Sequence, residues 1–348
     1  MGVLSIMNEI ELVAVCDPNE ETRNAFAEKW RVKGYADFNA MLDDARLDIV
    51  FVASPMQFHT PQAIAAMDAG AHVMSEVPAT VSIDECWALL AKVRETGRKY
   101  MMAENYCYQK NVVLVKSMVE AGMFGDVYYA EGAYIHELSS IHRYPDGTPT
   151  WRMRWQMGRN GNTYPTHSIG PCMQWIKERV STLTCLGTGV RMDPAYVNEA
   201  TTIMLCKTPS EKLITARLDM ASPRPHKMNL YGLQGTKGAF ETGRANGEQD
   251  RVWIDGRSPE KDAWEPLAKY ESEFMPEIWR NPPEEAKRAG HGGGDYFVVR
   301  EFVDSILNDT KPPIDVYDSL EMTVPGLVSE QSINSRGVPL PVPDFRTA

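Results

Sequence analysis

The sequence predicts two domains of different class: an α/β domain on a doubly wound parallel sheet, then an α+β domain on a mostly antiparallel sheet. Three observations carry this. Apolar β-rich runs alternate with helical stretches as far as about residue 122, which is the rhythm of successive βαβ units. Beyond Gly125 the runs alternate in polarity instead, as strands with one buried face do. A length of 348 residues suits two domains. The boundary falls between residues 122 and 123.

The first strand is residues 12–16. Asn19 is placed to cap a helix over residues 20–30, its side chain accepting a first-turn N–H. Residues 48–54 (DIVFVAS) carry the unbroken apolar run of a strand buried on both faces. Residues 61–69 read as a helix that opens on Pro61 and stops before Gly70. Residues 72–76 and 99–105 are further strands. Between them Ser82 and Glu85 stand at capping-box spacing ahead of a helix over residues 83–95. In the second half, residues 127–136, 201–207, 212–219 and 228–233 are strands. Gly235-Thr236-Lys237-Gly238 reads as a hairpin turn. Helices over residues 295–307 and 319–335 close the chain, and the Pro-, Glu- and Gly-rich residues 256–294 read as irregular.

Composition narrows the function classes. A hydrophobic fraction of 43% with 24% charged residues is that of an ordinary globular protein. A net charge of −11 argues against a nucleic-acid or anionic-membrane partner. The six cysteines at 16, 86, 107, 172, 185 and 206 show no C-x-x-C spacing. They read as buried thiols in a reducing, cytoplasmic compartment rather than a disulfide frame or zinc site. His136, Glu137 and His142 share no helix or metal-binding spacing, so no metal is expected. No nucleophile elbow or P-loop is present.

The run ELVAVCD ends on Asp17. This is how the second strand of a dinucleotide-binding half ends, with a carboxylate for the ribose of NAD. Such an acid follows a Gly-rich turn by about 20 residues. Only sixteen residues precede Asp17, with one glycine among them, Gly2. The first strand and the Gly-rich loop are therefore not legible, and the N-terminus reads as truncated. Leu4, Met7 and Ile10 recur at helical spacing, so residues 2–10 are expected to form the helix that follows such a turn.

The segments ELVAVCDPN, VASPMQFH, SEVPA and MAENYCY, followed by a long β domain, resemble the glucose–fructose oxidoreductase/inositol dehydrogenase/MocA family from Glu11 onward. The block Tyr164-Pro165-Thr166-His167, with EGAYIHE, SPRPH, QGTKG and HGGGDY, is similar to the branch containing NAD-dependent α-N-acetylgalactosaminidases. The resemblance implies a Rossmann-type first domain that binds NAD. Asp17 would hold the adenosine ribose and repel the 2′-phosphate of NADP. Ser54 and His59 would line the next loop, with Glu76 and Asn105 near the nicotinamide. Val77 stands where most of the family has a proton-transferring lysine. That task would pass to Tyr164 and His167, whose order of action is open. Tyr134, Arg152, Arg154, His226 and His291 are the implied substrate contacts. His226 replaces the tyrosine of the galactosaminidases.

Three functions stay open on these residues. The first is an NAD-dependent oxidoreductase acting on a sugar or polyol. The second is a hydrolase or lyase that oxidises C3 of a glycoside transiently and eliminates the C1 substituent. The third is a non-catalytic binding or oligomerisation protein that has lost the phosphate cradle. A homo-oligomer through the exposed face of the second sheet is expected.

Overall fold

The computed structural model describes residues 3–4, 7–225, 227, 230–245 and 247–347. The chain packs into two compact units. One comprises Met1–Thr80, Asp84–Ala103 and Pro283–Ser319, and the other Val81–Ile83, Glu104–Pro282 and Leu320–Ala348.

The first unit begins with β1 (Ala14–Cys16) and α1 (Glu20–Trp30). Asn19 caps α1 as its residue type dictates, accepting the Thr22 N–H at 2.9 Å. Two short elements follow that polarity patterning does not reveal, β2 (Lys33–Tyr35) and α2 (Phe38–Asp44). Next come β3 (Ile49–Val52), α3 (His59–Asp68), β4 (His72–Ser75), α4 (Ile83–Thr96) and β5 (Tyr100–Met102). All the strand pairs of this unit are parallel, but they form two sheets, β1-β2 and β3-β4-β5. No ladder joins β1 to β3 among the described residues. A doubly wound sheet holds its first strand at that position, and no strand lies among the described residues before β1.

None of the described residues in the expected helix over residues 2–10 is helical. Val3, Leu4, Asn8 and Glu9 are turn residues, and Ile10 N–H donates to the Met7 carbonyl at 3.2 Å. Leu4 and Met7 are nevertheless buried.

In the second unit α5 (Lys110–Glu120) leads into β6 (Val127–Ile135), and α6 (Thr166–Ile176) follows a long loop. Strands β7 (Thr182–Gly187), β8 (Thr202–Lys207), β9 (Leu213–Asp219), β10 (Leu230–Gly235), β11 (Gly238–Glu241), β12 (Arg251–Ile254) and β13 (Glu265–Pro266) complete most of the sheet. Residues 256–294 are not irregular as expected. Besides β13 they hold the short helices α7 (Glu271–Phe274), α8 (Glu277–Arg280) and α9 (Glu284–Arg288), each too brief to show a period. The chain ends with α10 (Gly294–Leu307), α11 (Val316–Asn334) and β14 (Leu340–Pro341).

The order β13-β12-β11-β10-β6-β9-β8-β7-β14 makes nine strands among the described residues, antiparallel except at β6-β9. Thr236 and Lys237 connect β10 to β11 as the expected hairpin. Helix α6 lies directly on β6. A Cβ at Gly132 of β6 would stand 1.9 Å from the Ser168 carbonyl oxygen of α6, so only glycine permits this approach. All six cysteines are free, and all but Cys16 are buried.

Candidate active site

His167 is the second residue of α6 and its ring is held from three sides. Nδ1 lies 2.7 Å from Oε1 of Glu104, a carboxylate with no exposed surface. The same oxygen accepts the Tyr106 N–H at 3.0 Å. The Tyr106 ring stacks on the imidazole at 3.9 Å between centroids and an interplanar angle of 13°. Gly170, one turn further along α6, faces the Glu104 Cγ. A Cβ there would sit 3.2 Å from it, so glycine leaves the acid its room.

The backbone of His167 is fixed by an arrangement the sequence encodes in two distant places. Pro171 lies inside α6 and has no N–H to give the carbonyl four residues earlier, which is that of His167. The buried Tyr231 hydroxyl of β10 donates to that carbonyl at 2.6 Å.

Two more tyrosines close on the imidazole edge-on. Tyr134 of β6 is 5.1 Å away and Tyr164 is 4.9 Å away, centroid to centroid. The Tyr134 hydroxyl pairs with His136 Nδ1 at 2.7 Å. Burial raises the Tyr134 phenol well above its ordinary range, against a smaller lowering by the Arg152 charge. Burial raises Tyr106 likewise, with further raising by Tyr134 and Glu104. Both are therefore hydroxyl donors at neutral pH. Glu104 Oε2 and Thr166 Oγ1 are buried with no hydrogen-bond partner among the described residues. Buried polar groups ordinarily have one, so the cluster retains unsatisfied capacity beside His167. An imidazole locked by a carboxylate, with phenols on its open sides, is equipped to take and return protons.

The structure brings together Tyr134, Tyr164 and His167, with Arg152 close enough to act on Tyr134. Arg152 also stacks over Trp151 at 4.2 Å, the packing role that aromatic–Arg pairs often have. Arg154 is exposed on a π-helical turn over Met153–Met157. Asn105 opens the 3₁₀ turn Asn105–Tyr108 beside Glu104. His226 lies outside the described residues. The sequence did not single out Glu104, Tyr106 or Tyr231. A signal for Glu104 existed: it is an acid directly after the apolar strand run in MAENYCY.

In the first unit, Asp17 follows β1, its Oδ1 accepting the Asn19 N–H at 2.8 Å. Ser54 follows β3 and donates to Gln62 at 2.6 Å. His59 is buried with Nδ1 and Nε2 each 2.8 Å from a carbonyl, those of Pro78 and Ser54. It is a strut joining two loops at the carboxyl ends of β3 and β4. Glu76 is exposed just past β4, and Val77 is buried before a cis Val77-Pro78 bond. His291 pairs with Asp295 at 2.9 Å at the start of α10.

These residues fit NAD rather than NADP. Cys16, the last residue of β1, is raised by burial and then by the charges of Asp37 and Asp17. Two carboxylates thus converge where a ribose would lie, and they suit its hydroxyls and oppose a 2′-phosphate. Arg23, the nearby cation, is occupied by the Asp17 carbonyl at 2.9 Å. Among the described residues no group of three or more His, Cys, Asp or Glu is placed to hold a metal ion.

A unit of parallel strands followed by a mostly antiparallel unit is a Rossmann-type oxidoreductase architecture. Residues 3–104 match the oxidoreductase family with an NAD-binding Rossmann fold, and residues 108–348 match the C-terminal domain of glycosyl hydrolase 109. The chain belongs to glycosyl hydrolase family 109. It is similar to a glycosyl hydrolase family 109 protein of Shewanella pealeana, 30% identical over 373 residues, covering 97% of this chain and 80% of the relative. The alpha-N-acetylgalactosaminidase of Shewanella oneidensis is 30% identical over 371 residues with the same coverage. The WlbA dehydrogenase of Bordetella pertussis, solved with NADH and UDP-GlcNAcA, shares the fold. Its TM-score is 0.78 at 18% identity, over 99% of this chain and 93% of that one. No helix among the described residues is long and apolar enough to cross a membrane.

Proposed function

We propose that this NAD-dependent enzyme oxidises a glycoside transiently at C3 and thereby cleaves its glycosidic bond. The observation that carries the reading is the Glu104–His167 pair set among Tyr106, Tyr134 and Tyr164. Simple alcohol oxidation needs one proton acceptor. Cleavage through a ketone needs two, and beside the imidazole of His167 stands the Tyr164 phenol, the second group assigned here.

NAD, held by the residues named below, would supply reversible hydride transfer at C3. His167 and Tyr164 share the proton transfers: one takes the C3 hydroxyl proton and the other the C2 proton, which the new ketone acidifies. The C1 substituent then leaves. Water adds at C1, C2 regains a proton, and reduction at C3 returns the hydroxyl, so the net reaction is hydrolysis. Glu104 stabilises the imidazolium whenever His167 holds the proton. Asp17, Ser54, Glu76, Val77 and Asn105 line the cofactor in this reading, and His59 braces their loops. Tyr134, Arg152, Arg154, His226 and His291 contact the sugar.

The activity named for the Shewanella oneidensis relative points to an α-N-acetylgalactosaminide as the first substrate to try. His226, in place of that branch's tyrosine, leaves the sugar itself to experiment. The exposed side chains of Leu186 on β7 and of Ile203 and Leu205 on β8 support a homo-oligomer through the sheet. Free buried thiols support a cytoplasmic setting.

The test is turnover of an aryl α-N-acetylgalactosaminide in D₂O with NAD supplied. Aglycone release at constant total NADH, with deuterium incorporated at C2, is the expected result. Steady NADH accumulation with release of a keto sugar would establish net oxidation instead. Absence of NAD binding at millimolar concentration in equilibrium dialysis would overturn both.

A further inference from the structure

His167 is anchored by Glu104, Tyr106 and Tyr231. Tyr164 stands outside α6, in the loop that leads into it. A side chain on a loop is placed by whatever fixes its backbone. Residues 160–165 rest on the part of α11 that belongs to the second unit.

The Asn162 N–H, two residues before Tyr164, donates to the Ser329 hydroxyl of α11 at 2.8 Å. That hydroxyl in turn donates to the Gly326 carbonyl, one turn earlier, at 2.6 Å. Asn162 and Ser329 have no exposed surface, so water does not readily replace the bond between them. The Asn162 side chain offers no second hold: both of its amide atoms are buried with no hydrogen-bond partner among the described residues. Pro165, directly after Tyr164, packs on the same helix. A Cβ at Gly326 would stand 2.6 Å from both the Asn162 carbonyl oxygen and the Pro165 Cγ. The backbone on either side of Tyr164 is thus seated against α11. Arg159 ties the start of the loop to Glu330 of the helix, through Nε at 3.0 Å and Nη2 at 2.5 Å.

The Tyr164 ring meets His167 edge-on at 4.9 Å between centroids. A shift of the loop on α11 therefore moves the phenol against the imidazole, which keeps its own support from Glu104. Ser332, three residues further along α11, is matched to Ser329 in all but its target. It too is fully buried. Its hydroxyl accepts the Cys185 N–H of β7 at 2.9 Å and donates to the Val338 carbonyl at 2.8 Å.

We propose that Ser329, with Gly326, is a positioning residue for Tyr164: α11 sets the phenol against His167, independently of the Glu104 support that sets the imidazole. The assignment rests on Tyr164 acting in the cleavage read above.

The test compares Ser329→Ala with Ser332→Ala in the NAD-loaded protein. Both should lower Tm by a similar amount, since each orphans one buried backbone N–H. Only Ser329→Ala should lower kcat for the aryl α-N-acetylgalactosaminide, about 10–100-fold at unchanged KM, the cost of misplacing a reacting group slightly. Gly326→Ala keeps the hydroxyl and pushes the loop; it should give the same selective loss and serves where Ser329→Ala does not fold. Nuclear magnetic resonance of histidine-labelled protein gives a readout without turnover. The His167 ring-proton signal, identified by its loss in His167→Gln, should shift in Ser329→Ala and stay in place in Ser332→Ala, because the edge-on Tyr164 ring sets part of its chemical shift. An unchanged kcat in Ser329→Ala, equal kcat losses in the two serine variants, or an unmoved His167 signal would overturn the proposal. A parent that turns over no glycoside would overturn the cleavage reading alone, and the His167 signal would still decide the positioning.

Discussion

Replacing Tyr231 by Phe removes one oxygen from a fully packed site and leaves the His167 carbonyl without its donor. The contact is short, 2.6 Å, and Tyr231 is 2% exposed, so water cannot readily substitute. An orphaned buried carbonyl costs about 1–3 kcal/mol, and about 2 kcal/mol is expected here. The helix cannot repair the loss, because Pro171 occupies the position that would have supplied the N–H. Pro171→Ala provides that N–H. In the Pro171→Ala background the same Tyr231→Phe change should therefore cost less than about 1 kcal/mol, a coupling of about 1–2 kcal/mol across the cycle. Urea denaturation of the parent, both single variants and the double variant, followed by circular dichroism, measures it. Equal costs in the two backgrounds, within about 0.5 kcal/mol, would show that Tyr231 does not replace the missing helical donor.

Three further outcomes follow from the same packing. Glu104→Gln keeps an acceptor where the His167 and Tyr106 N–H groups converge and removes only charge. It should lower kcat about tenfold, whereas Glu104→Ala frees the imidazole and should lower it about 10²–10⁴-fold, both read as aglycone release. Gly132→Ala places a methyl 1.9 Å from a backbone oxygen that cannot swing away. A loss of about 3 kcal/mol is expected, seen as a Tm fall of several degrees. Burial raises the Glu178 carboxyl, but hydrogen bonds from Ser210, Thr208 and Lys212 outweigh that and bring it to about 2. A folded-state value below the unfolded one means the stabilisation is present above about pH 4.5 and is lost as pH falls toward 2. With the side chain 25% exposed, about 1–2 kcal/mol is expected after screening. Glu178→Gln should flatten that part of the stability–pH curve.

The sequence made the large elements legible because their signals are local. Asn19 capped α1 and Gly70 ended α3, each through chemistry confined to one turn. Residues 33–35 and 38–44 went unread because three- and seven-residue elements carry no measurable period. The spacing of Leu4, Met7 and Ile10 points to a helix, yet Leu4 and Met7 are buried without helical residues among those described there. In the candidate site, Tyr134, Tyr164 and His167 were legible as a motif. Glu104, Tyr106 and Tyr231 were not, since each acquires its meaning only through a partner 61 to 64 residues away. The pairing of Pro171 with Tyr231 is of this kind: a helix-breaking residue is tolerable only when another strand answers it.

The buried thiols give the molecule an internal clock. Burial is the largest influence on Cys86 and Cys185 and brings each to about 12, with Cys172 and Cys206 raised further. Thiolate is the form that alkylates, so the folded protein presents almost none at these positions. Cys86 belongs to the first unit and the other three to the second. Labelling at each position therefore times the opening of its own unit, and mass spectrometry of the labelled peptides could follow the two breathing rates in a single unmodified sample.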